Sequence, residues 1–153
     1  MAKIHNFFSK SKDAVPMECA KCGMFNSCKN GRMKPAGLGE KKILVILDSP
    51  DAQADLKGTI AESAQYKFLH TELRKLGLNL YKDCWTVPAI RCYSESAPQK
   101  AKSLKCKPEL EADFKSLQPK HVFTFGNISL GTITDKYYSG IISENCMGDS
   151  IPI

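Results

Sequence analysis

Lys41-Lys42-Ile43-Leu44-Val45-Ile46-Leu47-Asp48-Ser49-Pro50 is the stretch that decides how this chain folds. Two lysines open an unbroken apolar run rich in β-branched residues, and Asp48, Ser49 and Pro50 close it. The run is far too short to cross a membrane, and Ser49-Pro50 would stop a helix at once. It therefore reads as a strand buried on both faces, as in a parallel sheet. Polar chemistry gathers at the carboxyl ends of such strands, which makes Asp48 the first candidate for function.

The pattern continues outward from this strand. A polar loop through Asp55 to Gly58 leads to a helix over 62–76, with Tyr66, Leu69, Leu73 and Leu76 on one face and Gly77 as its stop. Asp83-Cys84-Trp85-Thr86-Val87-Pro88-Ala89-Ile90 reads as a second strand, with Pro88 near its end because proline has no ladder donor. A polar loop then runs from Cys92 to Cys106. Lys107-Pro108-Glu109 opens the next helix, with the proline in its first turn and Leu110, Phe114 and Leu117 as its buried stripe. His121–Phe125 gives a third strand, and Gly126-Asn127 turns into a last helix over 128–138. Residues 139–153 read as irregular. Strands alternating with helices predict an α/β fold: three layers, α/β/α, around a small, mostly parallel sheet with right-handed crossovers.

At 153 residues the chain holds one domain's worth of core. Residues 1–18 read as a leader and 19–153 as the domain. The 42% hydrophobic and 25% charged residues are those of an ordinary globular protein. There is neither a membrane-length apolar run nor a signal-peptide pattern, so the expected location is the cytoplasm. A formal charge of +6, from 22 Lys+Arg against 16 Asp+Glu, suits a polyanionic partner such as DNA. It equally describes a solvated basic surface. Lys100, Lys102, Lys105 and Lys107 crowd the Cys92–Cys106 loop and are the candidate phosphate contacts.

Seven cysteines without a secretory signal favour metal or cluster binding over disulfides. Cys19-Ala20-Lys21-Cys22 is a C-x2-C pair whose tight turn can aim two thiolates at one metal. Cys92 ends the second strand, and Cys106 follows it in a C-x13-C spacing. Should the N-terminal segment fold over that loop, four thiolates would converge, a set suited to tetrahedral zinc or to a [4Fe–4S] cluster. Cys84 and Cys146 read as structural thiols. Cys28 reads either as a replacement ligand or as a free thiol.

This layout resembles the iron–sulfur (family 4) uracil-DNA glycosylases. The family's turn after strand one, Gly-Glu-Ala-Pro-Gly followed by an acidic pair and a glycine, is matched by Leu47-Asp48-Ser49-Pro50-Asp51, then Ala54-Asp55 and Gly58. Pro119-Lys120-His121-Val122 with Phe125-Gly126 is similar to its later strand-plus-glycine. Met147-Gly148-Asp149-Ser150-Ile151-Pro152 resembles the turn before its last strand. The resemblance implies a [4Fe–4S] cluster on Cys19, Cys22, Cys92 and Cys106. It implies Asp48 at the catalytic position, and Ser49, Pro50, Asp55, Gly58 and Asn127 around the substrate.

Excision of a base requires a pocket that takes the flipped base, reads its edge, positions water and stabilises the departing anion. The family's stacking aromatic falls here on Ala61, and its base-reading asparagine falls on Pro88. Its His-Pro-Ser motif would lie past Ile153, and His5, His70 and His121 are in the wrong places to replace it. The expectation is a divergent, C-terminally incomplete member that keeps the fold and cluster and binds DNA through a basic surface, with a degenerate excision site. The alternatives are an active glycosylase, an N-terminal module of a viral replication protein in contact with other replication or repair proteins, and a zinc-stabilised interaction domain.

Overall fold

The fold is that of a computed structural model, which describes residues 15–96 and 100–134. Ile43–Leu47 (β1) is the central strand of a three-stranded sheet, between Cys84–Pro88 (β2) and His121–Phe125 (β3). All pairings are parallel, with Val45 opposite Thr86 on one side and Phe123 on the other. Leu44 to Leu47 are almost wholly buried, as an apolar strand covered on both faces must be.

Successive β1 side chains alternate between two cores. Val45 and Leu47 pack with Ala54, Ile60, Tyr66, Leu69 and Leu80. Those residues come from Ala52–Lys57 (α2), a 3-10 turn at Ile60–Glu62, Ala64–Lys75 (α3) and Leu80–Asp83 (α4). Leu44 and Ile46 pack on the opposite face with Val87, Leu110, Phe114 and Ile128. That face is covered by Lys100–Leu117 (α5) and Asn127–Thr134 (α6). The result is the expected three-layer α/β/α sandwich. The β1-to-β2 connection crosses one face and the β2-to-β3 connection crosses the other.

Several boundaries differ from the sequence reading. The largest difference is α5, which begins at Lys100, so Lys102 and Lys105 lie on a helix rather than in a loop. Pro108 accordingly sits inside the helix and not in its first turn. It is exposed, and it has no N–H to give the carbonyl one turn earlier. Ala, Leu and Lys are good helix formers, and Ser103, Cys106 and Leu110 supply a buried stripe made largely of small residues. The Cys19/Cys22 pair lies on a short helix, Met17–Cys22 (α1), which straddles the expected leader boundary. Leu76 follows α3 as its C-cap and is 81% exposed, so it does not share the helix's buried face. Cys146 and the turn over 147–152 lie outside the described residues, as does the part of the last helix expected past residue 134.

Burial pushes the Cys84 thiol up to about 11 and the Tyr66 hydroxyl up to about 12. Both groups are neutral in the fold and ionise first in the unfolded chain. Their contribution is therefore complete below the ordinary values of 9.0 and 10.0 and is lost as pH rises toward 11 and 12. Urea midpoints are expected to fall steadily above pH 9, and Cys84→Ala should flatten that fall. A midpoint constant from pH 8 to 11 would contradict this account.

Candidate metal centre

The N-terminal segment does fold over the region between β2 and α5. Cys19 and Cys22 on α1, Cys92 after β2 and Cys106 on α5 all line one small cavity that is partly open to solvent. Met24 and Phe25 add apolar wall, and Arg32, Arg91 and Lys105 add three cations. The four cysteines named from the sequence are the four that face this cavity. Cys28 is beside it: its thiol donates to the carbonyls of Met24 at 3.3 Å and Tyr93 at 3.2 Å and is not part of the lining.

Helix α5 is the spine of the site. Arg32 Nε donates to Glu109 Oε1 at 3.1 Å, Arg91 pairs with Asp113, and Lys105 pairs with Glu18 at 3.3 Å. Each pair ties α5 to a segment that carries or adjoins a cysteine: the loop after Cys28, the residue before Cys92, and α1. Sequence reasoning passed over these tethers, although a signal exists. Lys105, Cys106, Glu109 and Asp113 recur at helical spacing on the face that also holds Leu110, an unusual concentration of charge near a buried stripe.

A backbone donor serves one of the sulfurs. The Arg32 amide donates to Cys92 Sγ at 3.3 Å. Arg32 holds this position with φ +58, a left-handed conformation uncommon outside glycine. Burial pushes the Cys92 thiol up to about 12 and also raises Cys19 and Cys106, so these groups are neutral thiols until a metal displaces their protons.

Among the described residues, no three Cys, His, Asp or Glu side chains stand close enough to share a single ion. Four thiols lining one cavity, one of them accepting a backbone amide, are a donor set of the chemistry that both a [4Fe–4S] cluster and a zinc ion use.

A buried carboxylate fixes the segment between the cysteines. Asp55, on α2, accepts the Lys29 amide at 3.0 Å and the Asn30 amide at 2.9 Å, while Asn30 Nδ2 donates back to the Asp55 carbonyl at 2.6 Å. Gly58 ends α2 at φ +76, and a Cβ there would press against the Asn30 side chain. Asp55 and Gly58, expected near a substrate, are thus engaged in holding the cysteine-bearing loop. Asp55→Ala should cost about 3 kcal/mol, as two charge-assisted bonds are lost and two amides are left unpaired. Urea unfolding measures this, and a loss under about 1 kcal/mol would contradict the latch.

The remaining sequence candidates surround the end of β1. Asp48 Oδ1 accepts the Ser129 amide at 2.8 Å, which attaches the carboxylate to the start of α6. Ser49 is half-buried, Pro50 is buried, and Asn127 is the exposed first residue of α6. Pro88 is fully buried at the end of β2, and Ala61 is half-buried against the Tyr66 core. Of the candidate DNA contacts, Lys105 is committed to Glu18 and the cavity wall, while Lys102 reaches Ser96 Oγ at 3.4 Å. Lys100 opens α5, and Lys107 lies further along the same helix. No protein-family model matches this sequence, and no curated protein matches it.

Proposed function

We propose that this chain is an iron–sulfur domain on a uracil-DNA glycosylase-like α/β scaffold, that it binds DNA, and that it does not itself excise bases. The observation that carries the reading is the meeting of Cys19, Cys22, Cys92 and Cys106 around one cavity. When bound, the cluster supplies a rigid cross-link. Cys19 and Cys22 anchor α1 to it, Cys92 anchors the end of β2, and Cys106 anchors α5. The cross-link holds α5 in fixed register with the sheet, and this helix carries Lys100, Lys102 and Lys107 as phosphate contacts. The overall charge of +6 favours the same partner.

Excision is disfavoured by what surrounds Asp48. Its Oδ1 is occupied by the Ser129 amide, Pro88 brings no side-chain donor, and Ala61 brings no stacking face.

The test uses protein purified anaerobically. Iron and acid-labile sulfide are measured, then binding to a single-stranded oligonucleotide across a salt series, then uracil release from the same strand. The expected result is a brown, iron-loaded protein with salt-sensitive DNA affinity and no release. Joint replacement of Lys100, Lys102 and Lys107 by Gln should make the salt slope shallower by about 0.7 for each single-strand phosphate left without its cation. A colourless protein carrying one zinc would overturn the cluster. An unchanged slope would overturn the DNA surface, and uracil release that disappears in Asp48→Asn would overturn the inactive site.

A further inference from the structure

Arg91 is the most deeply buried of the cavity's three cations, at 2% exposure. Its Nη1 donates to the Met33 carbonyl at 3.0 Å, and its Nη2 pairs with the Asp113 carboxylate. Its Nε is buried and has no hydrogen-bond partner. An unmatched buried donor costs about 1–3 kcal/mol, and here it belongs to a charged group, so its retention calls for an acceptor. Met33 and Asp113 hold the other two nitrogens, which leaves Nε as the unmatched donor of a side chain that lines the cavity. Arg91 lines the cavity together with Cys106, and the next residue in the chain is Cys92. The other two cations differ: Arg32 spends its Nε on Glu109, and Lys105 meets Glu18.

Resting on the cluster reading above, we propose that Arg91 is a positioning residue of the metal centre whose Nε–H donates to a sulfur of the bound cluster and sets its reduction potential. A [4Fe–4S] centre becomes more negative when it takes up an electron. A cationic N–H···S bond stabilises that state more than the oxidised one and raises the potential. Asp113 opposes this by neutralising part of the guanidinium charge. The pair sets the potential from opposite sides, and Arg32 and Lys105 hold the walls.

The experiment compares cluster-loaded wild type, Arg91→Lys and Asp113→Asn. Reduction potentials come from dye-mediated titration followed by visible absorbance, and Fe–S stretching bands come from resonance Raman in H2O and D2O. Arg91→Lys keeps a positive charge but has no Nε donor. Its potential is expected to fall, and the D2O shift of its Fe–S bands to be smaller than in wild type. Asp113→Asn is expected to raise the potential, and it serves alone if Arg91→Lys does not fold. A cluster-loaded Arg91→Lys with wild-type potential and D2O shift would reduce Arg91 to a structural brace and overturn the inference. So would an Asp113→Asn protein whose potential stays put. Wild-type protein without iron would sink the cluster reading itself, a result visible before any variant is made.

Discussion

Cys106→Ser protein is expected to emerge from anaerobic purification colourless, with iron at background, while Cys84→Ser remains as brown as wild type. The difference follows from place, since both thiols are buried. Cys106 is on the cavity wall, on the helix to which all three ion pairs of the site are tied. Cys84 begins β2, in the core on the side of α3. A serine oxygen at 106 is a poor ligand for iron that prefers thiolate. Cys92 is the weaker test position. The Cys28 thiol, bonded to the carbonyl of Tyr93 next to Cys92, is the replacement ligand that this prediction tests. Cys92→Ser should therefore keep some colour that the Cys28→Ser/Cys92→Ser double variant loses. Iron retained at wild-type level in Cys106→Ser would remove this residue from the site.

The sheet is legible in the sequence because its signal is local. Ile43–Leu47 is apolar on every residue, and only a strand covered on both faces uses that pattern in so short a span. The four cysteines are legible through spacing, and the topology brings those four together. The start of α5 is not legible. Pro108 imitates a first-turn proline, and the true first two turns bury Ser103 and Cys106, which carry little hydrophobic signal. The hydrogen bonds of Asp55 and Asp48 are hidden for a different reason. Each carboxylate is matched to backbone amides far away in sequence, Lys29 and Asn30 for one and Ser129 for the other. Amides leave no trace in residue identity. An acid in a turn therefore reads the same in the sequence whether or not the fold supplies it with an amide partner.

Gly126→Ala is expected to destabilise the domain by about 3 kcal/mol, among the larger losses for adding one methyl group. Gly126 has φ +128, a region that residues with a Cβ rarely enter, and an added Cβ would overlap the Asp48 carboxylate. The reason for this crowding is the start of α6. The residue before the helix is a glycine and has no side chain to cap it, so Asp48 reaches over from the end of β1 and accepts the Ser129 amide in the third position of the helix. The negative charge also suits the positive end of the helix dipole. Asp48→Ala alone should cost about 1 kcal/mol, as for the loss of a cap. The double variant is the decisive measurement. With the carboxylate gone, the clash disappears and only the backbone strain is left, so the double should cost less than the sum of the singles. Strict additivity would mean that the two residues do not press on each other, and Asp48 would then be available for the catalytic position that its place at the strand end first suggested. Coupling of about 1 kcal/mol or more, the scale seen for residues that touch, identifies Asp48 as the cap of α6. The coupling measures the contact between the carboxylate and the helix start, the contact through which one oxygen of Asp48 accepts the Ser129 amide.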